Sequence, residues 1–291
     1  MTWLWLALAS AFCLATADAF VKAYLTHLDT LYLMAMRFLH AGVLLLPVLL
    51  WWGWPGFPPA FWGWVAAMVP LELAAMYCYM RAVRSGDLSE TLPYLAFTPV
   101  LVAGTGWALL GERVSTLGFG GALLVTVGAY WLNGHERHAD GSARWWVPLA
   151  AMARNPGARW MLGTAVLYAF TSVLGKGALE YAPPVFFGAF YYLLLAAVVA
   201  LGVLATSPRR RALLRVRPGV QLLVGVAMAG MVLCHFMAIA GVEVAYMITA
   251  KRTSLLFGML YGALWFREAR LGRNLGAGAL MLAGVFLVAG S

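Results

Sequence analysis

Lysine and arginine stand side by side at positions 251 and 252, inside the run AYMITAKRTSLLFGMLYGALWF (245–266), with no polar stretch nearby to carry either into water. Arg37, Glu72 and His235 are isolated among apolar residues in the same way. Cations in such surroundings are suited to holding an anion. Arginine can grip a carboxylate or phosphate through two parallel hydrogen bonds, and lysine adds a compact point charge. A carboxylate at similar depth either loads and releases a proton, as a coupling group would, or stays as a permanent counter-ion; Glu72 fits both descriptions. Arg37, Lys251 and Arg252 against this one deep carboxylate leave positive charge in excess, which an anionic ligand group would meet. Tyr77, Tyr79, Tyr94, Tyr246, Thr98 and Ser254 offer hydroxyls and ring walls around such a site, with packing and interface roles as the alternative for the tyrosines. His235 is either a pH-sensitive wall residue or a hydrogen-bonded interior histidine.

Other chemistries lack their parts. Acid–base catalysis needs converging groups, and no second deep carboxylate, nucleophile–base pairing or metal-ligand spacing accompanies Glu72. Phosphate loops, dinucleotide fingerprints and hydrolase elbows are missing as well. Cys13, Cys78 and Cys234 all fall in apolar stretches and form neither a disulfide framework nor a zinc site. No enzyme, cofactor or metal is expected.

The elements that must position these residues are membrane helices. The 291 residues are 63% hydrophobic and 11% charged, against about 25% charged in soluble domains. Apolar runs of the roughly 20 residues that a bilayer demands recur at 3–22, 31–52, 60–80, 88–110, 115–133, 159–177, 184–205, 219–241, 243–266 and 271–289. The fold class is therefore all-α, a polytopic membrane protein. The first run lacks a positively charged flank and reads as a retained helix, not a signal peptide. Of the 20 Lys and Arg residues, only Arg113 and Lys176 fall in even-numbered loops and only Arg37, Lys251 and Arg252 within spans; the remainder fall in odd-numbered loops. That bias puts the odd loops in the cytoplasm and both termini outside, as expected for an inner-membrane protein. The net charge of +9 then orients the chain, and RRRALLRVR (209–217) touches anionic lipid; nucleic acid is not a partner.

The chain also repeats itself. Residues 87–134 align without gaps on 243–290 at an offset of 156, with Glu112 on Glu268, Gly120 on Gly276 and Gly128 on Gly284. Nearer the front the offset is 154, and Lys22 falls on Lys176. The units are 1–134 and 159–291, joined by a cytoplasmic linker, 135–158. Each holds five spans, an odd number, so the second must enter the bilayer from the opposite side. Inverted repeats of this kind are a plan of secondary transporters, with the site near mid-membrane between the halves. Both halves lie in one chain, so a monomer suffices for function; a homodimer stays open.

TLPYLAFTPVLVAGTGWALLGER (91–113) and AYMITAKRTSLLFGMLYGALWFRE (245–268), each followed by a glycine-rich helix, resemble the drug/metabolite transporter superfamily and, within it, the ten-helix EamA type. The resemblance covers nearly the whole chain. It implies carriage of a small metabolite without saying which. Termini free of basic side chains depart from many members, so orientation rests on the loops.

Mirror positions separate scaffold from site. Asp87 and Glu243 begin helices, Glu112 and Glu268 occupy equivalent turns, and Lys22 and Lys176 anchor span ends or gate them, in reach of Asp18 and Glu180 at four-residue spacing. These pairs serve the scaffold. By contrast Lys251 falls on Leu95, Arg252 on Ala96, Glu72 on Met228, His235 on Tyr79 and Arg37 on Tyr191. One half does without each charge, and placing it so deep costs at least about 2.5–3.5 kcal/mol. The expectation is a cavity in which Lys251, Arg252, Arg37, Tyr79, Tyr94, Thr98, His235, Tyr246 and Ser254 meet an anionic substrate and Glu72 couples protons. On an ideal helix Lys251 and Arg252 diverge by about 100°, so one of them alone is expected to face it. The alternatives are internal pairing of the cations with Glu72 and, for function, a flippase for a lipid-linked anionic headgroup. In helix 4, Pro93 and Pro99 free backbone groups and predict a kink or break. Gly258 and Gly262 are spaced for close helix packing.

Overall fold

The computed structural model describes residues 1–85, 91–133, 155–265 and 275–291, and these are helical almost throughout. In chain order they form α1 (Thr2–Tyr24), α2 (Thr30–Trp52), α3 (Pro59–Ser85), a 3-10 segment (Leu92–Phe97), α4 (Thr98–Leu110) and α5 (Thr116–Asn133). The second half forms α6 (Pro156–Ala178), α7 (Pro184–Val199) with a π-helical turn (Ala200–Leu204), a short α8 (Pro208–Ala212), α9 (Pro218–Ile239), α10 (Val244–Lys251), α11 (Ser254–Leu264) and α12 (Leu275–Ala289). Five of them, α1, α2, α3, α7 with its π-turn, and α9, are long and apolar enough to cross a membrane uninterrupted.

Local sequence sets the ends. Asp29 caps α2 by accepting the Tyr32 amide at 3.0 Å. Asn155 caps α6 through the Gly157 amide at 2.8 Å, and Pro156 follows at the first helical position, where no N–H is needed. Gly111 closes α4 at φ +67°, a left-handed conformation that costs glycine nothing. Burial is turned inside out relative to a soluble protein. Trp5, Trp51, Trp107 and Phe286 project outward, whereas Asp18, Arg37, Glu72, Gln221, Lys251 and Arg252 are buried. In lipid that is the favourable arrangement, because only the interior offers polar groups partners.

The helices pair as α3 with α6, α1 with α9, α2 with α7, α5 with α12, α4 with α6 and α1 with α11, and α2 also packs on α9 far more than its mirror α7 does on α3. Exchanging the two repeats turns the first pair into the second and the fifth into the sixth, and returns α2–α7 and α5–α12 to themselves. The halves are thus related by a pseudo-two-fold axis, as inverted five-span copies require. At that axis α5 and α12 nearly touch. A Cβ on Gly284 would lie 2.6 Å from the Gly121 carbonyl oxygen, and one on Gly128 would lie 2.9 Å from that of Ala277. The mirrored pair Gly128 and Gly284 therefore serves close approach, whereas Gly120 and Gly276 have room for a Cβ. Gly284→Val is expected to destabilise the protein by about 1–3 kcal/mol through overpacking. Gly163→Ala, where nothing lies within 4 Å, should leave it unchanged. Thermal unfolding of the two variants in detergent checks the contrast.

The kink expected from Pro93 and Pro99 is a break, and it occurs in both halves. The 3-10 segment gives way to α4 at Thr98, and α10 gives way to α11 at Ser254, 156 residues later. No proline marks the second break. The backbone tightens there, with the Thr253 amide bonding Ala250 O at 3.1 Å and the Leu255 amide bonding Arg252 O at 3.0 Å. The Thr253 hydroxyl also donates to Ala250 O at 2.8 Å. In the first half the Thr98 hydroxyl donates to Leu95 O at 2.6 Å. At each break the hydroxyl thus adds a second hydrogen bond to a carbonyl that a backbone amide also reaches.

Candidate functional site

A cavity with about 70 Å3 open to water lies between the halves. On α3, Met68, Glu72, Met76 and Tyr79 recur at spacings of four, four and three, one face of a helix. On α9 the mirror face supplies Met228, Val232 and His235. Tyr168, Thr171 and Ser172 of α6 and Tyr191 and Tyr192 of α7 complete the polar wall, and Lys251 and Arg252 enter from the end of α10.

Both cations line the cavity, not one. Arg252 keeps a helical φ of −66° and its amide still bonds Ile248 O at 3.2 Å, so the two side chains set out about 100° apart and both nevertheless reach the lining. Their surroundings differ. The Lys251 ammonium lies 3.1 Å from His235 Nδ1 and 3.3 Å from Met231 Sδ. Arg252 is 3% exposed, and its Nε and Nη1 are buried without a hydrogen-bond partner. Thr171 shares the wall with Glu72, and Lys251 is the cation within electrostatic reach of its carboxylate. Tyr168 lies within the electrostatic reach of both Glu72 and Arg252. Among the described residues no salt bridge joins Glu72 to either cation. The wall therefore presents a donor-rich pole at Arg252 and an acceptor at Glu72, with tyrosines between them.

Arg37 does not belong to this wall. It is fully buried, and its Nη2 donates to Asp18 Oδ1 at 2.5 Å. Tyr79 donates its hydroxyl to Asp18 Oδ2 at 2.5 Å, and the Arg37 guanidinium stacks over the Tyr79 ring at 5.6 Å. Asp18, six residues before the end of α1, is only 3% exposed, so it is a second buried carboxylate beside Glu72. The Asp18–Arg37 pair neutralises itself. An excess positive charge still faces the cavity, but it comes from Lys251 and Arg252 against Glu72.

Five further candidates lie elsewhere. Tyr94, Thr98 and Ser254 are buried around the two breaks, outside the cavity wall. The Tyr246 hydroxyl accepts the Ser115 amide at 2.8 Å and pairs with Ser115 Oγ at 3.1 Å, in a separate hollow with Arg113 and Glu243. Tyr77 packs edge-on against Trp160 at 6.0 Å. Lys176 also finds another partner than Glu180: its Nζ lies 2.6 Å from Glu112 Oε1 and donates to Val242 O at 2.6 Å. The second Glu112 oxygen accepts the Val244 amide at 2.9 Å. Glu112 thus caps α10 from the opposite repeat, while Glu243, at the capping position itself, makes no side-chain cap. Asp87 and Glu268 lie outside the described residues.

Sequence reading missed Tyr168, Thr171, Ser172, Tyr191 and Tyr192 because it sought charge. The offset of 154 held a usable signal. It lays Ser172 on Asp18 and Tyr191 on Arg37, so the positions that withdraw into an ion pair in the first half are wall residues in the second.

The sequence model of a family described as the EamA-like transporter family matches residues 1–134 and 155–290. Among curated proteins none matches the chain. A solved crystal structure, 19% identical, superposes with a TM-score of 0.70 over 98% of this chain and 98% of its own, which is a likeness of fold.

Proposed function

We propose, from the premise that this chain belongs to the EamA-like transporter family, that it is a secondary active transporter moving a small anionic metabolite across the inner membrane by alternating access. The observation that carries the substrate class is Arg252, a buried guanidinium with two unpartnered nitrogens at a cavity between the halves. Leaving a charged donor unsatisfied in the interior is costly, and an incoming carboxylate or phosphate group removes that cost. The cavity supports a compact solute. At roughly 10–15 Å3 of such volume per water, about 70 Å3 has room for a handful of waters. That favours a soluble metabolite over the lipid-linked headgroup of a flippase.

Glu72 is the coupling group in this reading. It comes from α3 of the first repeat and senses Lys251 from α10 of the second, so the charge state of one half is felt by the other. Proton and solute would meet at this one wall. The test is uptake into proteoliposomes of purified protein, with radiolabelled small carboxylates and an imposed pH gradient. Glu72→Gln is expected to abolish accumulation against a gradient while keeping counterflow exchange. Accumulation by Glu72→Gln equal to wild type would remove the coupling role, and absence of saturable exchange in the wild type would remove the carrier.

A further inference from the structure

Tyr79 and His235 occupy mirror positions on α3 and α9, 156 residues apart, and both face the cavity. Their free hydrogen-bonding capacity is opposite. A tyrosine hydroxyl has one proton to give. Tyr79 gives it to Asp18, whose other oxygen is held by Arg37. A carboxylate paired with a guanidinium is ionised and can only accept, so Tyr79 has lone pairs alone to offer a ligand. His235 is the reverse. Its Nδ1 lies 3.1 Å from the Lys251 ammonium, which has donors and no acceptor. With Lys251 charged, Nδ1 accepts and the ring proton is on Nε2. His235 has a donor left.

The asymmetry has a local origin. Only the first repeat holds an aspartate behind its wall residue. The positions equivalent to Asp18 and Arg37 in the second repeat are Ser172 and Tyr191, and both line the cavity themselves.

We propose that this mirror pair determines specificity: an acceptor from one repeat and a donor from the other make the cavity select small carboxylates that also carry a hydroxyl donor, such as 2-hydroxy acids. The inference rests on the anion-binding reading of Arg252 given above. The carboxylate meets Arg252 and the His235 Nε2–H, and the hydroxyl hydrogen goes to Tyr79 Oη. Asp18 and Arg37 touch no ligand; they are positioning residues that fix the direction of the Tyr79 hydroxyl.

The experiment is calorimetric titration of the purified full-length protein with L-lactate, propionate and 2-methoxypropionate. Lactate and propionate differ by one hydroxyl, and the methoxy compound keeps the oxygen but loses its hydrogen. Wild type is expected to bind lactate about tenfold more tightly than either of the others, the worth of one hydrogen bond. In Tyr79→Phe, which leaves the Asp18–Arg37 pair in place, that preference should fall below about twofold. Equal affinity of the wild type for lactate and propionate would overturn the selection while leaving anion binding intact. So would 2-methoxypropionate binding as tightly as lactate, a comparison that needs no variant to fold. A preference that survives in Tyr79→Phe removes Tyr79 from the role. If the wild type binds none of the three, the anion-binding reading itself fails.

Discussion

Arg252→Ala is expected to weaken carboxylate binding by about 10- to 150-fold, measured as the half-saturation concentration for counterflow in proteoliposomes. A hydrogen bond to a charged group contributes about 1.5–3 kcal/mol, and each 1.4 kcal/mol is tenfold. Among the described residues the Arg252 Nε and Nη1 have no hydrogen-bond partner to lose, so the loss falls mainly on the ligand. Arg252→Lys keeps the charge but removes the planar fork of donors, and an intermediate loss should follow. Lys251→Ala should cost less binding than Arg252→Ala, because its ammonium is already engaged by His235 and Met231. If charge-preserving exchanges at both positions left transport kinetics untouched, neither residue would be part of the binding site.

The second large effect concerns stability. Asp18→Leu leaves Arg37 fully buried with its carboxylate partner removed. Removing one member of a buried ion pair destabilises by about 3–5 kcal/mol, because the remaining charge has neither water nor a partner. Folded, monodisperse protein should fall sharply on size-exclusion chromatography. The paired replacement Asp18→Leu with Arg37→Met should restore much of it, since apolar substitutes for a buried pair are often neutral or stabilising. A double variant as unstable as the single one would mean that the pair's charges do not account for the loss. The paired replacement also frees the Tyr79 hydroxyl proton, so a stable double variant gives independent access to the polarity of that wall residue.

Helix extents and the duplication were legible because a bilayer imposes long apolar runs and because the repeats keep their glycines. Gly284 is such a case: the contact with Gly121 that demands it is fixed by the same axis that relates the copies. The break in the first half could be read from Pro93 and Pro99. The break in the second could not, because Thr253 and tight backbone bonds produce it without proline. Charged residues in apolar runs were correctly expected to be interior, but their partners were not apparent. Asp18 lies six residues before the end of α1, deep enough to reach Arg37 on the neighbouring helix. Lys176 meets Glu112 across the boundary between repeats. Such pairings depend on how helices rotate about their axes, which apolar periodicity leaves undetermined when every face of a span is greasy.

The ring formed by Lys176, Glu112, Val242 and Val244 has a mechanical consequence. It stitches the turn between α4 and α5 to the ends of α6 and the start of α10, so the halves cannot part there without severing several bonds together. Glu112 and Lys176 are nevertheless partly open to solvent at 11% and 24% side-chain exposure, and water entering the gap would solvate both charges at once. Such a clasp holds firmly while dry and lets go cheaply once wetted.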